Sequence, residues 1–139
     1  MDTQERISSL ELKMKISALW IVVLFSMIFR DLHEFARTGF LEEILAMTSN
    51  GAGISESLLL FAGIVLAIPI TMIFFVHVLD RSANRWANII ASAVFFVNII
   101  ANNLAPDLDD MFFATLECIA LLLIIWYAWK WPIRQLQPG

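Results

Sequence analysis

The chain has 139 residues, of which 60% are hydrophobic and 16% charged, with a mean hydropathy of +0.77; an average soluble domain is about half apolar and a quarter charged. With 11 Phe, 5 Trp and so few charges, a water-facing globule is excluded, and the composition is that of an integral membrane protein whose first partner is the lipid bilayer. A net charge of -4 without a basic stripe excludes nucleic acid as a partner, and the single cysteine, Cys118, excludes an intramolecular disulfide, a CxxC redox centre or a thiolate zinc site.

In chain order, the pattern predicts an all-α, polytopic membrane four-helix bundle running up-down-up-down, one transmembrane domain over residues 1–139 with spans near 14–36, 57–79, 86–105 and 110–131. The first span is uncharged from Ile16 to Phe29 and is expected to continue through Arg30 to Ala36, with Lys13 and Lys15 snorkelling at its start. Gly39 to Met47 sets Phe40, Leu41, Ile44, Leu45 and Met47 beside Glu42 and Glu43, the pattern of a short amphipathic helix at the interface, either a passive surface helix or a lid. Turn residues run from Thr48 to Gly53. Span two is uncharged from Ser57 to Val76, with Pro69 in its middle as an expected kink; the carbonyl it frees needs a partner, for which Thr71 or the asparagines of span three are candidates. A turn from Asp80 to Asn84 leads to span three, uncharged from Trp86 to Pro106, and Pro106-Asp107 leads to span four, whose apolar run from Met111 to Trp129 is interrupted by Glu117.

Charge sets the expected orientation. Arg6, Lys13, Lys15, Arg81, Arg85, Lys130 and Arg134 fall on one side, whereas the other carries Arg30 and Arg37 among a majority of carboxylates, so the positive-inside rule predicts that both termini are cytoplasmic. Arg85, Trp86, Trp129 and Trp131 would be membrane anchors at that boundary. The first apolar run lacks a small-x-small cleavage site, so a cleaved signal peptide is not expected.

Polar side chains inside apolar spans are costly and normally turn toward the bundle or a cavity. In span three, Asn84, Asn88, Ser92, Asn98, Asn102 and Asn103 fall within an arc of about 140° at the helical period, predicting one polar face along the helix. Hydrogen bonding between helices suffices for Asn84, Asn88 and Ser92; Asn98 and Asn102 are equally readable as cavity-lining. Glu117 is the most unusual residue, a carboxyl within a span that must take up a proton or find a partner, the candidates being Arg30, His33, Asn98 and Asn102. A proton carrier, a ligand contact or a general acid would use such a carboxyl; simple neutralisation by Arg30 competes equally. Span one ends in Arg30-Asp31-Leu32-His33-Glu34, where Arg30 and Glu34 have the spacing of a helical pair and His33 has the chemistry of a pH-sensitive group. His77 and Asp80 read as a local pair or cap. His33 and Glu34 are adjacent and do not share a face, so no metal and no cofactor is expected.

The sequence contains no GxSxG, HExxH, Walker glycine loop or GxGxxG, leaving hydrolase, metalloprotease and nucleotide chemistries without support. The strings from Asp80 to Ile90 and from Trp126 to Pro132, together with Lys15 to Trp20 and Ile68-Pro69-Ile70, resemble signatures of a bacterial family of small four-helix membrane proteins without an assigned activity, similar in general design to DoxX-like proteins. The resemblance implies a bacterial inner (cytoplasmic) membrane location and no substrate.

Three functions follow as alternatives. In the first, Arg30, Asp31, His33, Asn98, Asn102 and Glu117 line an outer-facing pocket that binds or passes a small polar or amphipathic molecule or a proton. In the second, a less favoured one, Glu117 is the acid or base of a membrane-embedded enzyme acting on a lipophilic substrate, with His33 or Asp31 beside it. In the third, the polar stripe pairs with another subunit, a second copy or a different membrane protein, making the chain an accessory or assembly protein.

Overall fold

A computed structural model describes residues 3–51, 53, 55–102 and 108–131. Five helices follow in order: α1 (Thr3–Ala36), α2 (Phe40–Ser49), α3 (Glu56–Val78), α4 (Arg81–Asn102) and α5 (Leu108–Lys130). α1, α3, α4 and α5 are each long and apolar enough to cross a membrane, which makes this a multi-pass membrane protein. α1 begins well before the expected boundary. Gln4, Glu5, Leu10, Glu11 and Leu12 are good helix formers, and they carry the helix past the apolar run to 34 residues, about 51 Å at 1.5 Å per residue. α4 likewise starts at Arg81, five residues before the expected span.

The four long helices form a ring in which α1 touches α3 and α5, α4 touches α3 and α5, and the pairs α1/α4 and α3/α5 are diagonal. Lys13 Nζ donates to the His77 carbonyl at 3.1 Å and Ser17 Oγ to that of Ile73 at 3.4 Å, joining the start of α1 to the end of α3. Adjacent helices are therefore antiparallel. One end of the bundle holds the α3–α4 connection (the turn end) and the other holds α2 (the α2 end). The interior is built from Ile16, Trp20 and Val23 of α1, Met72 and Val76 of α3, Phe95 and Ile99 of α4, and Ala120, Leu121 and Ile124 of α5. The outer walls are apolar too: Leu58, Leu59, Leu60, Phe61 and Ile64 of α3 are all exposed, as a lipid-facing surface requires.

α2 has no buried residue and, among the described helices, meets α1 alone. Gly39, at φ 91°, makes the reversal between them, a backbone conformation that glycine enters without steric cost. Arg37 clasps the two helices through Glu34 at 3.4 Å and Glu43 at 3.6 Å. α3 starts under a serine cap, the Ser55 hydroxyl accepting from Leu58 N at 3.2 Å.

Pro69 lies buried within α3. Of the neighbours expected to serve the carbonyl it frees, Thr71 Oγ1 donates to Ile68 O at 2.9 Å, Asn84 Nδ2 donates to Val76 O and Asn88 Nδ2 to Asn84.

Candidate functional site

Two polar systems occupy the interior, one above the other. Near the turn end, the Trp20 indole N–H donates to Asn88 Oδ1 at 2.7 Å; Asn88 Nδ2 donates to Asn84 Oδ1 at 2.7 Å and to Asn84 O at 2.8 Å; Asn84 Nδ2 donates to Val76 O. All of these side chains are fully buried. Indole offers only a donor, which fixes which way the Asn88 amide points, and that amide in turn fixes Asn84. The chain of bonds ties α1, α4 and α3 together and ends on a backbone carbonyl.

Closer to the α2 end lies the charged system. Arg30 Nη1 of α1 meets Glu117 Oε2 of α5 at 3.4 Å, with side-chain exposures of 22% and 0%. Arg30 is therefore one of the expected partners of Glu117 that the structure brings to it. Glu34, expected to pair with Arg30, pairs with Arg37 instead, because Arg30 points inward to the carboxylate while Glu34 lies on the α2 side of its helix. The second oxygen, Glu117 Oε1, is buried without a hydrogen-bond partner, as is Ser92 Oγ of α4. Counting residues from the turn ends of α4 and α5 puts Ser92 and Glu117 about 16 and 20 Å in, so both orphaned oxygens lie near mid-span. Ser26, one turn before Arg30, is buried as well.

The other candidates are placed differently. Asp31 is exposed beside Arg30. His33 is exposed too; its Nδ1–H donates to the Phe29 carbonyl at 2.8 Å and its ring packs on Phe113 of α5, centroids 5.3 Å apart. Asn98 is exposed, because the buried positions on that stretch of α4 go to Phe95 and Ile99. Among the described residues, the expected polar face is therefore inward from Asn84 to Ser92 and outward at Asn98, since the buried strip of a helix in a four-membered ring is narrower than the arc those residues span. The side chain of Asn102, and Asn103 altogether, lie outside the described residues. Trp86 and Trp129 are 53% and 60% exposed at the turn end, whereas Trp131, expected to share that belt, is 3% exposed and packs into the core.

Trp20 is the interior residue whose part sequence reasoning missed. Its signal was available: a tryptophan on the same helical face as Ile16 and Val23 is buried, and a buried indole N–H needs an acceptor. A depression of about 390 Å³ over Leu108, Met111, Phe112, Thr115, Leu116 and Ile119 lies on the face of α5 opposite Glu117 and takes no part in the site.

Four long helices around a fully buried glutamate paired with a partly exposed arginine define a small polytopic membrane protein with a charged site in its interior. Residues 8–137 match the model of a family of unknown function (DUF6326), and the chain belongs to that family. No curated protein and no solved structure among those compared matches it.

Proposed function

We infer that this protein binds or passes a proton or a small polar solute at the Arg30–Glu117 pair, reached from the α2 end. The observation that carries the reading is Glu117 itself, a fully buried carboxyl with one oxygen on Arg30 and the other unpartnered. A carboxyl retained only to neutralise Arg30 would have both oxygens committed, since each unmet polar atom in a dry interior is costly. Ser92 Oγ, likewise unpartnered, supplies a second donor or acceptor near that depth. On the α2 side, Arg30 is partly open to solvent, and Asp31 and His33 are exposed; these form the rim. On the turn side, every polar atom of Trp20, Asn88 and Asn84 in the chain of bonds is used among themselves or on Val76, so that half is shut and the site opens one way.

The same reading takes the excess of Lys and Arg at the turn end to be cytoplasmic, so the site faces outward from a bacterial inner membrane, in a protein of DoxX-like general design. Its test is proton flux into proteoliposomes carrying an internal pH dye, with the infrared carboxyl band of Glu117 read alongside. Glu117→Gln is expected to bring flux to that of empty vesicles and to remove a band that responds to buffer pH. A folded Glu117→Gln variant with unchanged flux, and no pH-responsive band in the unmodified protein, would overturn the reading.

A further inference from the structure

Away from the Arg30–Glu117 site, the turn end holds two buried nitrogen donors with nothing to donate to: Arg85 Nε and Trp131 Nε1. Arg85 lies in the opening turns of α4 and Trp131 directly follows α5, so both belong to the same end of one antiparallel pair. The Arg85 guanidinium carbon is 5.1 Å from the Trp129 ring centroid and 5.9 Å from that of Trp86, so the cation sits beside two tryptophans, one of them on α5 two residues before Trp131, while its Nε–H has no acceptor. The ion pairs among the described residues, Arg30–Glu117, Arg37–Glu34 and Arg37–Glu43, leave Arg85 aside. Lys130 stands one residue from Trp131, its Nζ 4.0 Å from the Trp126 centroid.

The chemistry of this cluster is one-sided. Guanidinium and indole N–H groups donate and accept nothing, so what completes them is an acceptor, and one with several oxygens and a negative charge can serve both. A guanidinium fork matches a phosphate in particular. The depth is informative as well, since exposed Trp86 and Trp129 mark the level at which aromatic rings meet lipid headgroups. We propose that Arg85 and Trp131 form an oxyanion site for a phosphate group, with Trp86 and Trp129 flanking the chain or solvent beyond it. Phosphate presented by a lipid headgroup and free phosphate share this chemistry, and the experiment separates them.

The full-length protein, delipidated in a neutral maltoside detergent, is titrated with phosphatidylglycerol, with dioleoylglycerol as its phosphate-free counterpart and with inorganic phosphate, following tryptophan fluorescence and lipid retention by native mass spectrometry. Phosphatidylglycerol is expected to bind and dioleoylglycerol not to. Arg85→Gln should weaken binding about tenfold, the scale of one charge-assisted hydrogen bond, and Trp131→Phe, which keeps an aromatic ring in the core but removes the N–H together with part of the indole, by several-fold. Arg85→Lys, which retains charge without the fork, should fall between and serves where Arg85→Gln does not fold. Competition by inorganic phosphate identifies the phosphate group alone as sufficient; lipid binding without such competition identifies the lipid as its source. Equal binding of dioleoylglycerol, or wild-type affinity in both folded Trp131→Phe and Arg85→Lys, overturns the site.

Discussion

Trp20 and Asn88 meet across a diagonal of the bundle, an indole N–H to amide oxygen contact of 2.7 Å between α1 and α4, two helices whose backbones are otherwise not neighbours. In a ring of four helices the diagonal fixes the shape: edge contacts alone permit the ring to shear, whereas a bonded diagonal does not. The same contact closes the lower interior, because Asn88 passes its own donors to Asn84, and Asn84 to Val76.

Trp20→Phe keeps an aromatic ring beside Phe95, whose centroid is 6.2 Å from that of Trp20, but it removes part of a fully buried indole and strands Asn88 Oδ1. A loss of about 1 to 3 kcal/mol is expected, the unmet buried acceptor adding to the lost packing volume. Unfolding in a mixed-detergent titration measures it. Adding Asn88→Leu to Trp20→Phe should recover little, since Asn84 then loses its own partner.

Arg30 and Glu117 separate stability from function. Arg30→Ala leaves a fully buried carboxyl without its cation, and because Arg30 is partly exposed the loss should fall below the usual range for a broken buried pair, at about 1 to 3 kcal/mol. Arg30→Ala/Glu117→Gln should be more stable than Arg30→Ala alone, and Arg30→Met/Glu117→Leu at least as stable as the unmodified protein, since apolar replacement of a buried ion pair is often neutral or stabilising. Flux, by contrast, should be absent from both double variants. Thermal midpoints and vesicle flux on the same preparations check the two sides of the statement.

The sequence carried most of the architecture because apolar run length is a direct physical requirement of crossing a bilayer, and charges such as Arg30 and Glu117 stand out against it. Three features were not legible for definite reasons. The start of α1 is governed by helix propensity outside the apolar run, so hydropathy underestimates it. The inward face of α4 depends on how wide a strip its two neighbours cover, which periodicity leaves open; Asn98 falls outside that strip and Ser92 within it. Trp131 directly follows α5 and its side chain packs into the core, and helical phase says nothing beyond a helix end.

Gly39 contributes to the position of α2 through its backbone conformation: its φ of 91° favours glycine, and no atom lies within 4 Å of where a Cβ would stand. Gly39→Ala is therefore expected to cost about 1 kcal/mol through strain without a clash. As α2 buries nothing, the strain should release locally, so the global unfolding midpoint should move little while spin labels at Leu32 and Leu45 report a broadened separation. A large fall in global stability would mean that α2 is part of the bundle's cooperative unit.

One-sided access and membrane orientation are tested together by cysteine labelling in a Cys118→Ala background. Antiparallel packing puts Asp31 and Thr48 at one end and Lys15 and Arg81 at the other, so Asp31→Cys and Thr48→Cys should react with a membrane-impermeant maleimide on one face of sealed vesicles, and Lys15→Cys and Arg81→Cys on the other. If the basic end is cytoplasmic, whole cells label only the first pair and inside-out vesicles only the second. Ser92→Cys, a nearly isosteric change at a fully buried position, discriminates further: a small cationic methanethiosulfonate should reach it slowly from the α2 end and, while Trp20, Asn88 and Asn84 remain bonded, not from the turn end. Combining it with Asn88→Ala removes the bond to Trp20, and modification from the turn end should then rise. Equal rates from both ends in the Ser92→Cys protein would mean that the asparagine chain is no barrier, and the site would then open to both sides of the membrane.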